Sequence, residues 1–253
     1  MDDADGDTWS DVAEDWACLW GKFSDPARHA LISATGLGPG SRVLDIGSGS
    51  GEFLTLLSGV GAVTAGVDPA SGMVELARLR APAADIRPGT AEALPWPDDS
   101  FDVVTAVNSL QFADNTLAAL AEAARVVTPG GLIAVANWAE GELNDLSVLE
   151  AAVADADGEE LSPDGNLRSA GGLESLLQHG GLDVVTSGLV EVPWDAPDDE
   201  TLVAGVLLGE SAETVAEFSE VVIAAARPFQ TVSGGYRLVN WFRYAVGEVR
   251  TAG

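Results

Sequence analysis

Residues 42–53 read "RVLDIGSGSGEF", and the reading of this stretch decides the fold. An apolar run interrupted by one acid, Asp45, has the composition of a buried strand, and "EFLTLLSGV" beyond it has helical spacing. Between them, glycines recur at 47, 49 and 51. A strand-to-helix turn this bare brings backbone amides close to a ligand, because no Cβ intrudes. The pattern is not a dinucleotide fingerprint, since Glu52 stands where G-x-G-x-x-G needs its third glycine. No Gly-Lys-Ser/Thr follows, and an acid at the mouth of the helix would repel a pyrophosphate. The expected ligand is nucleoside-like and lacks phosphates.

Outward from this turn the chain alternates strand and helix. "AVTAGVD" reads as strand, "SGMVELARLR" as helix, "ADIRPG" as short strand, "FDVVTAVN" as strand, "NTLAALAEAARVV" as helix capped by Asn115, and "GLIAVANW" as strand after "TPGG". Such alternation predicts an α/β, Rossmann-like, doubly wound sheet of seven mostly parallel strands. Further on come helices near 144–155 and 170–179, a strand near 182–193 and two helices within 198–226. The run "YRLVNWFRYAVGEV" is expected as an antiparallel last strand, and "PWDAPDDE" as a linker. Before the turn, residues 8–35 read as two helices, the first with Trp9, Val12, Trp16, Leu19, Trp20 and Phe23 on one face. One domain over 1–253 is expected, with a cofactor-binding core at 36–140. Segments 1–30 and 198–230 would form a helical lid over the sheet's C-terminal edge, where open α/β sheets bind ligands.

Composition narrows the partners. With 40 acidic against 12 basic residues and a net charge of −28, the chain repels a phosphate backbone, so nucleic acid is not expected. Cys18 is the only cysteine, which excludes an intrachain disulfide or a cysteine-held metal and points to the reducing cytoplasm. "MDDADGDTW" lacks the basic and apolar regions of a secretory signal, and no run approaches ~18 apolar residues, so no membrane association is expected. A homodimer is left open.

Asp68 ends the second strand, 21 residues after Gly47, where a carboxylate can accept hydrogen bonds from both hydroxyls of a ribose. Together these segments resemble class I S-adenosylmethionine-dependent methyltransferases. "VLDIGSGSG" matches their D-x-G-x-G-x-G loop and "GVDPASGMVELAR" their second motif. "GTAEALPWPDDSFDVVTAVNSLQF" is similar to the third and fourth, and "AEAARVVTPGGLIAVANW" to the closing block. The resemblance is dense over 41–138 and is strongest to the ubiquinone-biosynthesis-like small-molecule enzymes.

The resemblance implies a role for each matching position. Asp45, Gly47, Ser48, Gly49 and Gly51 would hold the methionine end of S-adenosylmethionine, Asp68 with Pro69 the ribose, and Met73 would pack near the adenine. Thr90 replaces the acid that the family usually sets against the adenine amino group, which loses a charge-assisted hydrogen bond of about 1 kcal/mol. Ala91 and Glu92 would flank it. Asn108 would present its backbone carbonyl to the cofactor's amino group, and Gln111 stands near the histidines common in the family. Trp16 and Trp20 could close over the sulfonium by cation–π attraction, worth ~0.5–2 kcal/mol. No catalytic residue is assigned; His29 and Gln111 are substrate-site candidates, and His179 reads as a helix-end residue. The expected reaction is methyl transfer to oxygen, nitrogen or carbon of a small apolar molecule, favoured by Trp194, Phe229, Tyr236 and Trp241. Scarce lysine with abundant arginine and alanine suggests bacterial secondary metabolism. A cyclisation catalysed on the same fold, or a non-catalytic nucleoside-binding module, stays open.

Overall fold

The computed structural model describes residues 6–250. In chain order the strands are β1 (Arg42–Ile46), β2 (Val63–Asp68), β3 (Asp85–Pro88), β4 (Phe101–Val107), β5 (Val127–Trp138), β6 (Asp183–Glu191), β7 (Trp194–Ala196), β8 (Tyr236–Leu238) and β9 (Trp241–Glu248). The helices are α1 (Gly6–Asp11), α2 (Ala13–Leu19), α3 (Asp25–Thr35), α4 (Glu52–Gly59), α5 (Ser71–Arg80), α6 (Thr116–Val126), α7 (Leu146–Asp157), α8 (Gly172–His179), α9 (Asp199–Val206) and α10 (Ala212–Ala226). Seven strands form one sheet in the order β3-β2-β1-β4-β5-β9-β6, all parallel except β9, which runs antiparallel to both its neighbours. This is the expected Rossmann-like α/β architecture.

The central strands are mostly apolar because both faces are covered. On one face Val43 packs with Ala27 and Leu31 of α3; on the other, Leu44 and Ile46 pack with Ala119, Leu120 and Ala123 of α6. The Asn115 side chain caps α6, accepting the Ala118 N–H at 3.0 Å, as its residue type predicts. Among the described residues no helix is long and apolar enough to cross a membrane.

The structure departs from expectation in four places. Residues 8–35 fall in three helices rather than two, and the stripe expected on one helix is broken, with Val12 between α1 and α2 and Trp20 and Phe23 between α2 and α3. "TPGG", expected to precede the strand, is drawn into β5, whose pairing with β4 shifts register between Phe101 and Val103. "YRLVNWFRYAVGEV" is not one strand. Asp145 Oδ2 takes the Val239 N–H at 2.6 Å and Asn144 Oδ1 the Trp241 N–H at 2.9 Å, while buried Asn240 accepts the Leu146 N–H at 3.1 Å. Side chains thus claim the ladder bonds, and β8 separates from β9.

"PWDAPDDE" is not a linker. Its Trp194–Ala196 segment pairs antiparallel with β8 in a separate two-stranded sheet. Trp194 is buried, stacks on Trp20 at 4.3 Å and donates from Nε1 to the Leu19 carbonyl at 3.1 Å. Gly205 of α9 makes the fit possible, since a Cβ there would lie 2.4 Å from the indole. Trp194→Ala should therefore cost about 3–5 kcal/mol, the range for emptying a buried aromatic site. Urea unfolding of the variant measures it; a loss under 1 kcal/mol would show that the joint between α2 and β7 is not tight.

Candidate functional site

The strand order reverses direction at β1: β2 lies on one side and β4 on the other, the switch point where open α/β sheets leave a crevice at their carboxyl ends. The loop 47–51 turns there, and its three glycines have different causes. Gly47, at φ 68°, lies against Ser109; a Cβ would come 2.3 Å from that residue's Cβ. Gly51 is pressed on α5, where a Cβ would stand 2.9 Å from the Ala77 Cα. Gly49, at φ 52°, faces open space. Packing accounts for the outer two glycines, and the middle one presents a bare backbone to the crevice.

Asp68 holds this loop in shape. Its Oδ2 accepts the Gly49 N–H at 2.9 Å and its Oδ1 the Ala70 N–H at 3.0 Å. Burial raises its pKa against the lowering effect of those two hydrogen bonds. Within the loop, the Ser48 side chain is buried against Gly66 of β2, its Oγ has no partner, and its N–H is held by the Val67 carbonyl at 3.0 Å. Glu52 accepts from Ser50 Oγ at 2.8 Å and is paired with Arg80. Its charge is largely compensated, so its expected repulsion of a pyrophosphate is weak.

Asp45 lies buried beneath the loop, accepting the Thr105 Oγ1–H at 2.7 Å. Burial pushes its pKa up to about 7, opposed by the Thr105 hydrogen bond and by the charge of Arg28. At the end of β4, Asn108 takes φ 53°, a left-handed conformation that Asn tolerates better than most residues. Its N–H donates to the Ala136 carbonyl at 2.8 Å, and its Oδ1 accepts from exposed Gln111 at 2.8 Å. Met73 is buried with Ala13 and Ala70 under Trp9 and Trp16. Trp9 also meets Phe112 edge-on at 5.6 Å, so α1 bridges from α5 to the exit of β4.

The remaining candidates are placed as follows. Pro69 and Thr90 are exposed, Ala91 packs on the α6 core, and Glu92 accepts the Asn115 N–H at 3.2 Å. Trp20 is buried between Trp194 and Phe23 and donates to the Gly205 carbonyl at 3.2 Å, which directs it into the packing between segments. His29 is exposed on α3 with its ring at the Asp25 carbonyl, 2.7 Å away, and His179 is similarly exposed at the Ser175 carbonyl. Trp194 and Tyr236 are buried in the chain's own packing. Arg28, next to His29, escaped the sequence reading, yet its side chain is only 12% exposed. The signal was there: Ser24, four residues before it, and Leu31, three after it, share its helix face and are buried.

The fold is shared with solved structures described as methyltransferases. Residues 44–135 match the family model described as "Methyltransferase domain". Demethylmenaquinone methyltransferase of Renibacterium salmoninarum is 37% identical over 111 residues, covering 44% of this chain and 47% of that protein. The chain thus spans about half the length of the curated relatives it matches. Among solved structures, YcgJ protein of Bacillus subtilis aligns with a TM-score of 0.60 at 20% identity over 89% of this chain and 99% of that one. A [4+2]-cyclase, SpnF, aligns at TM-score 0.60 and 15% identity over 98% of both chains.

Two outcomes follow from this geometry. Gly47→Ala should cost more than ~2 kcal/mol of stability, combining a left-handed φ with the Ser109 clash, whereas Gly49→Ala should cost only ~1 kcal/mol; equal losses in urea unfolding would contradict the separate causes. Asp45 has a folded pKa above its unfolded value near 3.8. Its contribution is therefore complete below pH ~4 and lost as pH rises through about 7, on the order of 4 kcal/mol at most. Stability measured across that window should fall with pH, and Asp45→Asn should flatten the slope.

Proposed function

We propose that the chain transfers a methyl group from S-adenosylmethionine to a small, largely apolar molecule. The observation that carries this reading is the bare Gly49 backbone facing open space beside the Asp68 carboxylate, within a region that matches a methyltransferase domain. The residues fit the cofactor. A carboxylate has about four acceptor positions, and Asp68 uses two on Gly49 and Ala70, which leaves two for a ribose diol. Met73, under Trp9 and Trp16, supplies an apolar wall for the adenine. When bound, the cofactor supplies an activated methyl on a sulfonium.

The chain's own tasks are then alignment and exclusion of water. The loop holds the methionine end and Asp68 the ribose, and Asn108, its N–H held by the Ala136 carbonyl, offers its own backbone carbonyl to the cofactor's amino group. The Trp9–Phe112 contact covers the opening. No histidine reaches the crevice among the described residues, so the acceptor is one that needs little help in losing a proton. Exposed Phe112 supports an apolar acceptor. The proposal includes a cytoplasmic setting in bacterial secondary metabolism, which the lysine-poor composition and single cysteine support.

The missing base also favours a second reading, in which the fold binds the cofactor and catalyses a cyclisation. Calorimetry with S-adenosylhomocysteine tests the site, and transfer of a labelled methyl to candidate acceptors separates the two readings. Asp68→Ala should weaken S-adenosylhomocysteine by roughly 2 kcal/mol, about 30-fold. Unchanged affinity would place the ribose elsewhere, and saturable binding without label in any acceptor would favour cyclisation.

A further inference from the structure

Past the glycine turn, the carboxyl end of the sheet holds a second opening. Where β5 ends, Trp138, Leu146 and Ser147 at the start of α7, Glu150 one turn on, and Arg168 line a cavity of about 120 Å³. The Asn108 N–H meets the Ala136 carbonyl two residues before Trp138, so the cavity stands beside the crevice, two strands or roughly 10 Å from the turn after β1. An apolar cavity of ~150 Å³ takes up benzene. This one has room for a single ring, with the rest of a ligand outside.

The walls are fixed by the chain's own bonds. The Ala139 carbonyl accepts both the Asn144 Nδ2–H at 3.0 Å and the Arg168 Nε–H at 2.9 Å, which ties the start of α7 and the guanidinium to the residue after Trp138. Asp164 pairs with the same Nε at 3.0 Å and takes the Gly141 N–H at 2.7 Å, which closes the segment before α8 against the exit of β5. The Trp138 indole is held by Phe23, stacked at 4.9 Å, and by Phe242 at 5.0 Å.

The donors in these walls are idle. With Nε occupied, the two Nη groups of Arg168 make no hydrogen bond among the described residues, and neither do Trp138 Nε1 and Ser147 Oγ. Arg243, the neighbouring arginine at this edge, is tied to Glu140 by three hydrogen bonds. In a chain with 12 basic against 40 acidic residues, a guanidinium with free donors on a cavity wall selects an anion that the rest of the surface repels. Glu150, the acid in the lining, is exposed, so water and salt screen its repulsion.

We propose that this cavity receives the methyl acceptor and that the acceptor is an aromatic ring carrying a carboxylate. The ring lies against Trp138, and the carboxylate takes the Arg168 Nη groups with Ser147 as a further donor. A guanidinium presents parallel N–H groups, the geometry that suits a carboxylate. The assignment rests on the methyl-transfer reading above and narrows its acceptor to one chemical class.

The test uses the whole chain with S-adenosylhomocysteine present and three probes that share one ring, benzoate, benzamide and benzylamine, titrated by ligand-observed NMR. Benzoate should bind about 5- to 10-fold tighter than benzamide, with benzylamine weakest. Arg168→Gln should erase the preference for benzoate, and Arg168→Lys should keep part of it, since an ammonium is a point charge without the fork. Ser147→Phe, which fills the cavity, should weaken all three by more than about 10-fold. Thermal midpoints report folding, and calorimetry should find the S-adenosylhomocysteine affinity of each variant within about 2-fold of wild type. Equal affinity for the three probes, a preference for benzylamine, or a benzoate preference that survives Arg168→Gln or Ser147→Phe overturns the inference and leaves the cofactor reading intact. So does a wild-type protein that binds S-adenosylhomocysteine and none of the probes. If the variants do not fold, the order of the three probes on the wild-type protein decides. Failure of the wild-type protein to bind S-adenosylhomocysteine overturns the methyl-transfer reading and the acceptor role with it.

Discussion

The carboxylate of Asp68 takes the N–H of Gly49 with one oxygen and the N–H of Ala70 with the other. Through these two bonds the end of β2 fixes both the turn after β1 and the start of α5. A loop of small residues has little else to hold it, because glycine side chains offer no packing and a left-handed φ must be retained at three positions. The parallel register of β1 and β2, with Asp45 opposite Gly66 and Ile46 opposite Val67, brings Asp68 to this height. The crevice thus exists only while the sheet's register is kept. Burial makes the arrangement costly to leave, since an ionised Asp68 without its N–H partners would face a low-dielectric interior.

A second constraint ties the N-terminal helices to the C-terminal half. Trp20 and Trp194 stack face to face, and each indole N–H donates to a carbonyl of the other's neighbourhood, Gly205 for Trp20 and Leu19 for Trp194. Aromatic contacts continue from Trp20 through Phe23 to Trp138 and Phe242, and from Trp16 through Trp9 to Phe112. One chain of rings therefore joins α1 and the exit of β4 to the core of the sheet.

The alternating core was legible because its signals are local. A buried parallel strand needs a continuous apolar run, a helix needs a period of 3.6, and a glycine turn needs residues of one type. The same logic located the Asn115 cap. The region after residue 140 was less legible because its breaks are made at a distance. Nothing in "YRLVNWFRYAVGEV" says that Asn144 and Asp145, almost a hundred residues earlier, will take its backbone donors. "PWDAPDDE" looked like a linker from its Pro and Asp content, yet one Trp with a partner 174 positions away in Trp20 made it structural.

At the site, sequence reasoning ranked residues by chemical reputation, which led it to His29 and past Arg28. The helix face decides between them. His29 satisfies its ring on its own helix and stays in solvent, whereas Arg28 shares the inward face with Ala27 and Leu31. The consequence is electrostatic. With Glu52 balanced by Arg80 and Asp25 by Arg28, the unbalanced acids at the turn are Asp45 and Asp68, and both have their pKa raised by burial. Acids left unbalanced at the turn favour a ligand that brings positive charge, such as the sulfonium proposed above. A pyrophosphate would instead bring at least two negative charges to these buried acids. The charge pattern around the turn, more than the glycines themselves, thus argues for a cationic nucleoside over a nucleotide.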